Sequence, residues 1–211
     1  MIFRQLFDAE SSTYTYLLAD ETTREAVLID PVIEHVERDL TLLQELGLKL
    51  TYALDTHVHA DHVTALGTLR ERTGCKTVLS EKAAGGCADR FVQDNERIEF
   101  GSQALIVRET PGHTSGCITF VLSDASMAFT GDALLIRGSG RTDFQQGDAR
   151  TLYESVHKKI FSLPETCLLY PGHDYKGRPC SSVGEEVAHI LLLSRRPEIA
   201  TLIGIRRKRL P

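Results

Sequence analysis

No stretch of about 18 apolar residues, the length that carries a helix across a bilayer, occurs in these 211 residues. The opening Met1-Ile2-Phe3-Arg4-Gln5 is strand-like and has no signal-peptide pattern. These two absences predict a soluble, cytoplasmic chain with no membrane partner. There is no CxxC pair either, and the five cysteines (Cys75, Cys87, Cys117, Cys167, Cys180) are an odd number. That argues against a disulfide framework or a zinc knuckle, so most are read as small buried apolar residues. Positive charge is not in excess: 24 Lys and Arg against 29 Asp and Glu give a net charge of −5. Electrostatic binding of nucleic acid is therefore not expected, and Arg206-Arg207-Lys208-Arg209 reads as a solvated chain end. With no linker, internal repeat or low-complexity segment, one domain over residues 1–211 is expected, long enough for a sizeable core.

The chain alternates β-rich and helical stretches. Residues 14–20 and 25–30 form a predicted hairpin ended by Pro31. Val36, Leu40, Leu43 and Leu46 fall at helical spacing, giving a helix over 34–46 capped by Gly47. Strands are expected at 50–56, 76–79, 97–100, 104–107, 117–122, 127–130 and 166–170. Val63, Leu66 and Leu69 predict a helix closed by Gly74, and Leu152, Val156 and Ile160 another capped by Asp148. Helices are expected again at the end, over about 182–205, with Pro197 in a first turn. This order suggests two sheets packed face to face with helices outside.

What the chain does have is histidine in one place: Thr56-His57-Val58-His59-Ala60-Asp61-His62. A lone histidine is usually structural, but three imidazoles and a carboxylate in so few positions favour a metal site. In an extended chain His57 and His59 share a face. Asp61 is expected where the next helix begins, turning His62 toward the same region. Three later segments each run a strand into a glycine turn and a possible ligand: Thr110-Pro111-Gly112-His113, Thr130-Gly131-Asp132 and Tyr170-Pro171-Gly172-His173. Glycine permits a sharp turn or close approach there. Alone, each is ordinary loop chemistry. Together they supply more ligands than one metal needs, so residue chemistry leaves one-metal and two-metal sites both open.

The cluster with His113, Asp132 and His173 resembles the metal-binding pattern of the metallo-β-lactamase superfamily, across residues 14 to 175. That resemblance implies an α/β fold, an αββα sandwich of two mixed sheets flanked by helices. The run from Gly131 to Gly147, followed by Tyr170-Pro171-Gly172-His173-Asp174-Tyr175, is similar to the persulfide dioxygenases. This implies one Fe(II) per chain, held by His57, His113 and Asp132, and oxidation of glutathione persulfide by O2 to sulfite and glutathione. His59, Asp61, His62 and His173 would then be an unfilled second metal set or hydrogen-bonding outer groups. Tyr175 is a catalytic candidate, with packing beneath the metal loop as its plainer role. Arg141 would bind a glutathione carboxylate or brace its loop against Asp143, and Lys176 and Arg178 are further candidates that could equally be solvated. Cys117 reads as a buried strand residue. After Gly184-Glu185-Glu186 the chain departs from the family's Asn-Pro turn, and it stops at Leu210-Pro211. These departures bear on the C-terminal helices and on the homodimer that the family suggests. The nearest alternative is a glyoxalase II-like thioesterase with two metals; a non-catalytic iron or persulfide sensor is another.

Overall fold

A computed structural model describes residues 1–83 and 87–189. The first half of the chain builds one six-stranded sheet in the order β1 (Ile2–Phe7), β2 (Tyr14–Ala19), β3 (Glu25–Ile29), β4 (Lys49–Leu54), β5 (Lys76–Ser80) and β6 (Arg90–Val92). The first three strands pair antiparallel and the last three add in parallel, so the sheet is mixed. The second sheet, also six-stranded, runs β12 (Ser181–Ser182), β11 (Leu168–Pro171), β10 (Met127–Gly131), β9 (Ile118–Leu122), β8 (Gln103–Glu109) and β7 (Arg97–Phe100). The α-helices among the described residues are α1 (Val36–Glu45), α2 (Leu66–Thr73), α3 (Ala149–Ser155) and α4 (Val183–His189).

Strand alternation produces the layers. In β2, Tyr16 and Leu18 face the second sheet and pack with Phe120, Phe129 and Tyr170. Their neighbours Leu17 and Ala19 face outward onto Leu43, Leu66 and Leu69 of the helices. On the far side Leu152, Val156 and Ile160 cover Ala128 and Leu169. Strands buried on both faces are built mostly of apolar residues, as in the fully buried β2, where the polar Thr15 is satisfied by donating to Asp30 O at 2.8 Å. The αββα sandwich expected above is the architecture found.

Several boundaries shift for physical reasons. A short 3-10 turn, Ile33–His35, precedes α1, and Gly47 adopts a left-handed φ of 61° just after its end. The helix expected to start at Asp61 starts at Leu66 instead. Residues 63–65 spend their backbone groups on the preceding segment: Ile33 N donates to Val63 O at 2.9 Å and Ala65 N to Pro31 O at 2.8 Å. Asp61 and His62 are thus held in a loop. Asp148 caps α3 as expected, accepting from Thr151 N at 2.7 Å, but the helix then widens into a π-helical turn, Val156–Ile160. Strands β6 and β12 are too short for any periodicity to show. Cys75, Cys117 and Cys167 are buried as expected, whereas Cys87 is exposed. The expected helices beyond His189, the Pro197 turn and the basic run at 206–209 lie outside the described residues.

One carboxylate ties the two sheets together at the end away from the site. Asp20, at the end of β2, accepts from Thr22 N and Thr23 N through Oδ1 and from Ser102 N at 2.7 Å through Oδ2. The hydrogen bond from the Ser102 hydroxyl, with these amides, holds its carboxyl well below the ordinary value of 3.8. A depressed folded-state value stabilises the fold above about pH 4 and is lost as pH falls through it. In urea melts, Asp20→Asn is expected to lower the midpoint at neutral pH. The gap to the parent protein should close on acidification, and a gap constant with pH would contradict this.

Candidate metal centre

Strand direction explains why the possible ligands meet. Strands β8 and β10 both run antiparallel to β9, and β11 runs parallel to β10. All three therefore end at one edge, and each is followed at once by a turn carrying His113, Asp132 or His173. Strand β4 of the other sheet reaches the same edge, where Ile118 N donates to Thr56 O at 2.9 Å. His57 follows directly. At Gly131, with φ 50°, an added Cβ would lie 2.4 Å from Thr56 Oγ1, so only glycine lets Asp132 approach the His57 segment so closely.

His57, His113 and Asp132 each place one ligand atom within 4.8 Å of the others. Their other polar atoms are engaged in ways that free a donor. Thr56 Oγ1 gives its proton to Asp30 Oδ2 at 2.9 Å, so it accepts from His57 Nδ1–H, also at 2.9 Å. The His57 Nε2 lone pair is left for the site. His113 Nδ1–H donates to Arg141 O at 2.7 Å, again freeing Nε2. Asp132 takes His173 Nδ1 on Oδ1 at 2.7 Å and turns Oδ2 toward His113 Nε2, 3.7 Å away. Burial, with the neighbouring His59 charge, pushes His57 down to about 3 and keeps it neutral. Burial alone would raise Asp132, but His173, His57 and His113 outweigh it and hold the carboxyl low. Two imidazoles and a carboxylate form a donor set that fits a divalent transition metal.

The remaining ligands divide between two further groupings. His59, Asp61 and His62 come within the same 4.8 Å limit, as do Asp30, Asp55 and His59. His57 and His59 lie close, with ring centroids 4.1 Å apart, but strand geometry is not the cause, since β4 ends at Leu54. His59 Nε2 points instead to Asp30 Oδ1 at 3.2 Å. Asp61 Oδ2 accepts from His62 Nδ1 and His173 Nε2, each at 2.9 Å. Burial disfavours a charged His173, yet its bonds to Asp132 and Asp61 outweigh that and raise it to about 10. Among the described residues, two buried ring nitrogens, His59 Nδ1 and His62 Nε2, have no hydrogen-bond partner.

Around the rim, Tyr175 is 73% exposed and stacks on the His173 ring at 6.1 Å, with 9° between planes. Arg141 pairs with Asp143 at 2.8 Å and lies over Phe144. Lys176 is exposed. Arg178 is braced: its Nη2 reaches Asp174 Oδ1 and Ile136 O, both at 2.8 Å. Cys117 is buried, and burial pushes its thiol up to about 12. Sequence reasoning missed Asp30, Thr13 and Asp174. Asp30 and Asp174 each accept main-chain N–H bonds beside the site, and Thr13 Oγ1 lies 3.1 Å from His173 Nε2. The one available signal was Asp30 itself, a carboxylate at a strand end directly before proline.

Residues 9–173 match the metallo-beta-lactamase superfamily. The mitochondrial persulfide dioxygenase ETHE1 of Homo sapiens is 59% identical over 187 residues, covering 88% of this chain and 73% of that protein. This chain belongs to the metallo-beta-lactamase superfamily and, within it, to the persulfide dioxygenase family. The crystal structure of ETHE1 from Myxococcus xanthus is similar at 51% identity and a TM-score of 0.95, covering all of this chain and 92% of that one. A more distant relative is the hydroxyacylglutathione hydrolase of Cereibacter sphaeroides, 34% identical over 78% of this chain and 64% of its own length. The superfamily's metal chemistry fits the donor groupings described above, and among the described residues no helix is long and apolar enough to cross a membrane.

Proposed function

We propose that this chain is a persulfide dioxygenase, oxidising glutathione persulfide with O2 and water to sulfite and glutathione, with release of two protons per turnover (GSSH + O2 + H2O → GSH + SO3²⁻ + 2 H⁺). The observation that carries this reading is the family membership at 59% identity, joined to a two-histidine, one-carboxylate grouping at the strand ends. His57, His113 and Asp132 would hold one Fe(II) per chain. When bound, ferrous iron supplies the redox chemistry that brings O2 to the outer sulfur.

The protein's part is to bind and orient. Thr56 and the Arg141 carbonyl fix the ring nitrogens that face the metal. His173 steadies Asp132 from behind, and His59, Asp61 and His62 serve as outer groups. The Tyr175 hydroxyl orients the persulfide. Arg141, Lys176 and Arg178 form a basic rim for the tripeptide's carboxylates, Arg141 by exchanging Asp143 for substrate. A cytoplasmic setting and a homodimer belong to the same proposal. The mammalian relatives are mitochondrial by name, so fractionation with markers of both compartments checks the first, and light scattering the second.

A two-metal hydrolase is the second reading. It draws on the unpartnered His59 Nδ1 and His62 Nε2 and on the hydrolase relative. Purification without oxygen, with iron and zinc counted per chain, separates the two. One iron, O2 uptake with glutathione persulfide and no hydrolysis of S-lactoylglutathione are the expected results. Two zinc ions without O2 uptake would overturn the dioxygenase.

A further inference from the structure

The loop from Asp132 to Arg141 touches the metal centre at both ends. Asp132 begins it, and Gly140 N folds back to donate to Asp132 O at 2.8 Å. The next residue, Arg141, offers the carbonyl that takes His113 Nδ1–H at 2.7 Å. Between them lies a tight turn in which Leu135 N donates to Gly138 O at 2.9 Å and Gly138 N to Leu135 O at 3.2 Å. Arg137, inside that turn, has a left-handed φ of 62°. A non-glycine residue keeps such a conformation only where its surroundings enforce it.

Glu186 of α4 does the enforcing. Its side chain is 1% exposed, and a buried carboxylate is tolerated only where it is fully paired. Oε2 accepts from the Arg137 amide at 2.9 Å and Oε1 from Arg137 Nη1 at 2.5 Å. The exposed Glu185 meets the tip of the same guanidinium. One carboxylate on a distant helix thus grips both the backbone and the side chain at the middle of the loop.

We propose that Glu186 is a positioning residue for the metal centre: by gripping the turn at Arg137 it fixes the Asp132–Arg141 loop, and through the Arg141 carbonyl it sets the tautomer and orientation of His113. This rests on the reading of His113 as a metal ligand. The grip acts on His113 whether or not metal is bound, so it has a readout independent of turnover. Loss of the direct partner of a metal-bound histidine, here the Arg141 carbonyl, changes metal affinity about 10–100-fold, and Glu186, which acts on that carbonyl through the loop, is expected at the lower end of the range.

The test compares Glu186→Gln and Glu186→Ala with the parent protein, with Glu185→Gln as control. Nitrogen-proton NMR of metal-free protein follows the His113 Nδ1–H signal, and transfer of iron to a chelator follows release. Glu186→Gln should broaden the His113 signal, mix its tautomers and release iron about tenfold faster. Glu186→Ala should exceed this, and Glu185→Gln should match the parent. If Glu186→Ala does not fold, Glu186→Gln, which keeps an acceptor for the Arg137 amide, carries the test. A lower Tm in Glu186→Gln with unchanged His113 signal and iron release would make Glu186 a brace for α4 alone and overturn the proposal. Undiminished iron in His113→Ala would overturn it together with the ligand reading, and the NMR of metal-free protein tells that failure from the first.

Discussion

Asp132→Ala is expected to purify without iron and without dioxygenase activity, whereas His62→Ala keeps its iron. Asp132 joins the grouping with His57 and His113 through one carboxylate oxygen while the other holds His173. Alanine removes the ligand and the partner that orients His173 in one step. Loss of an outer-shell partner alone costs roughly 10–100-fold in metal affinity or activity, so loss of the carboxylate should exceed that range. His62 belongs to the separate grouping with His59 and Asp61, and its Nδ1 is held by Asp61 at 2.9 Å. Metal analysis beside O2 uptake checks both variants, and iron missing from the His62 variant would mean that the ligand set has been misassigned.

Gly140→Ala should give nearly as large an effect without touching a ligand. A Cβ built there would lie 2.6 Å from Asp132 O, 2.8 Å from Asp132 Cβ and 2.8 Å from His113 Nδ1. None of these is the far end of a flexible chain, so either Asp132 or the His113–Arg141 hydrogen bond has to move. Overpacking of this kind costs about 1–3 kcal/mol, and here the displacement falls on two of the three proposed ligands. Iron content and activity should drop at least about tenfold, by analogy with disturbed outer-shell contacts, while circular dichroism stays native. Gly138→Ala, where nothing among the described residues lies within 4 Å, is the matched control. Normal iron in Gly140→Ala would count against this packing argument.

Much of the site could be read from the chain because its parts obey local rules. A strand, a glycine turn and a ligand recur at His113, Asp132 and His173, and the strand ends deliver all three to one edge. The two-layer core was equally visible in strands such as Tyr14–Ala19. Pairings between distant segments were not. Asp30 reaches Thr56 and His59, and Glu186 reaches Arg137, across separations that no periodicity records. The start of α2 was misplaced for the same reason, since the backbone of residues 63–65 is claimed by residues 31–33. Strands of two or three residues, β12 and β6, carry too little pattern to recognise.

His57 is carried by one sheet, and His113 and Asp132 by the other. An ion held by all three is therefore a cross-link between the two halves of the sandwich, and a ligand that binds only the assembled form stabilises it by mass action. Metal supply would then govern how long the protein survives as well as how fast it turns over, and a chain starved of its metal would be more open to proteolysis along the seam between the sheets.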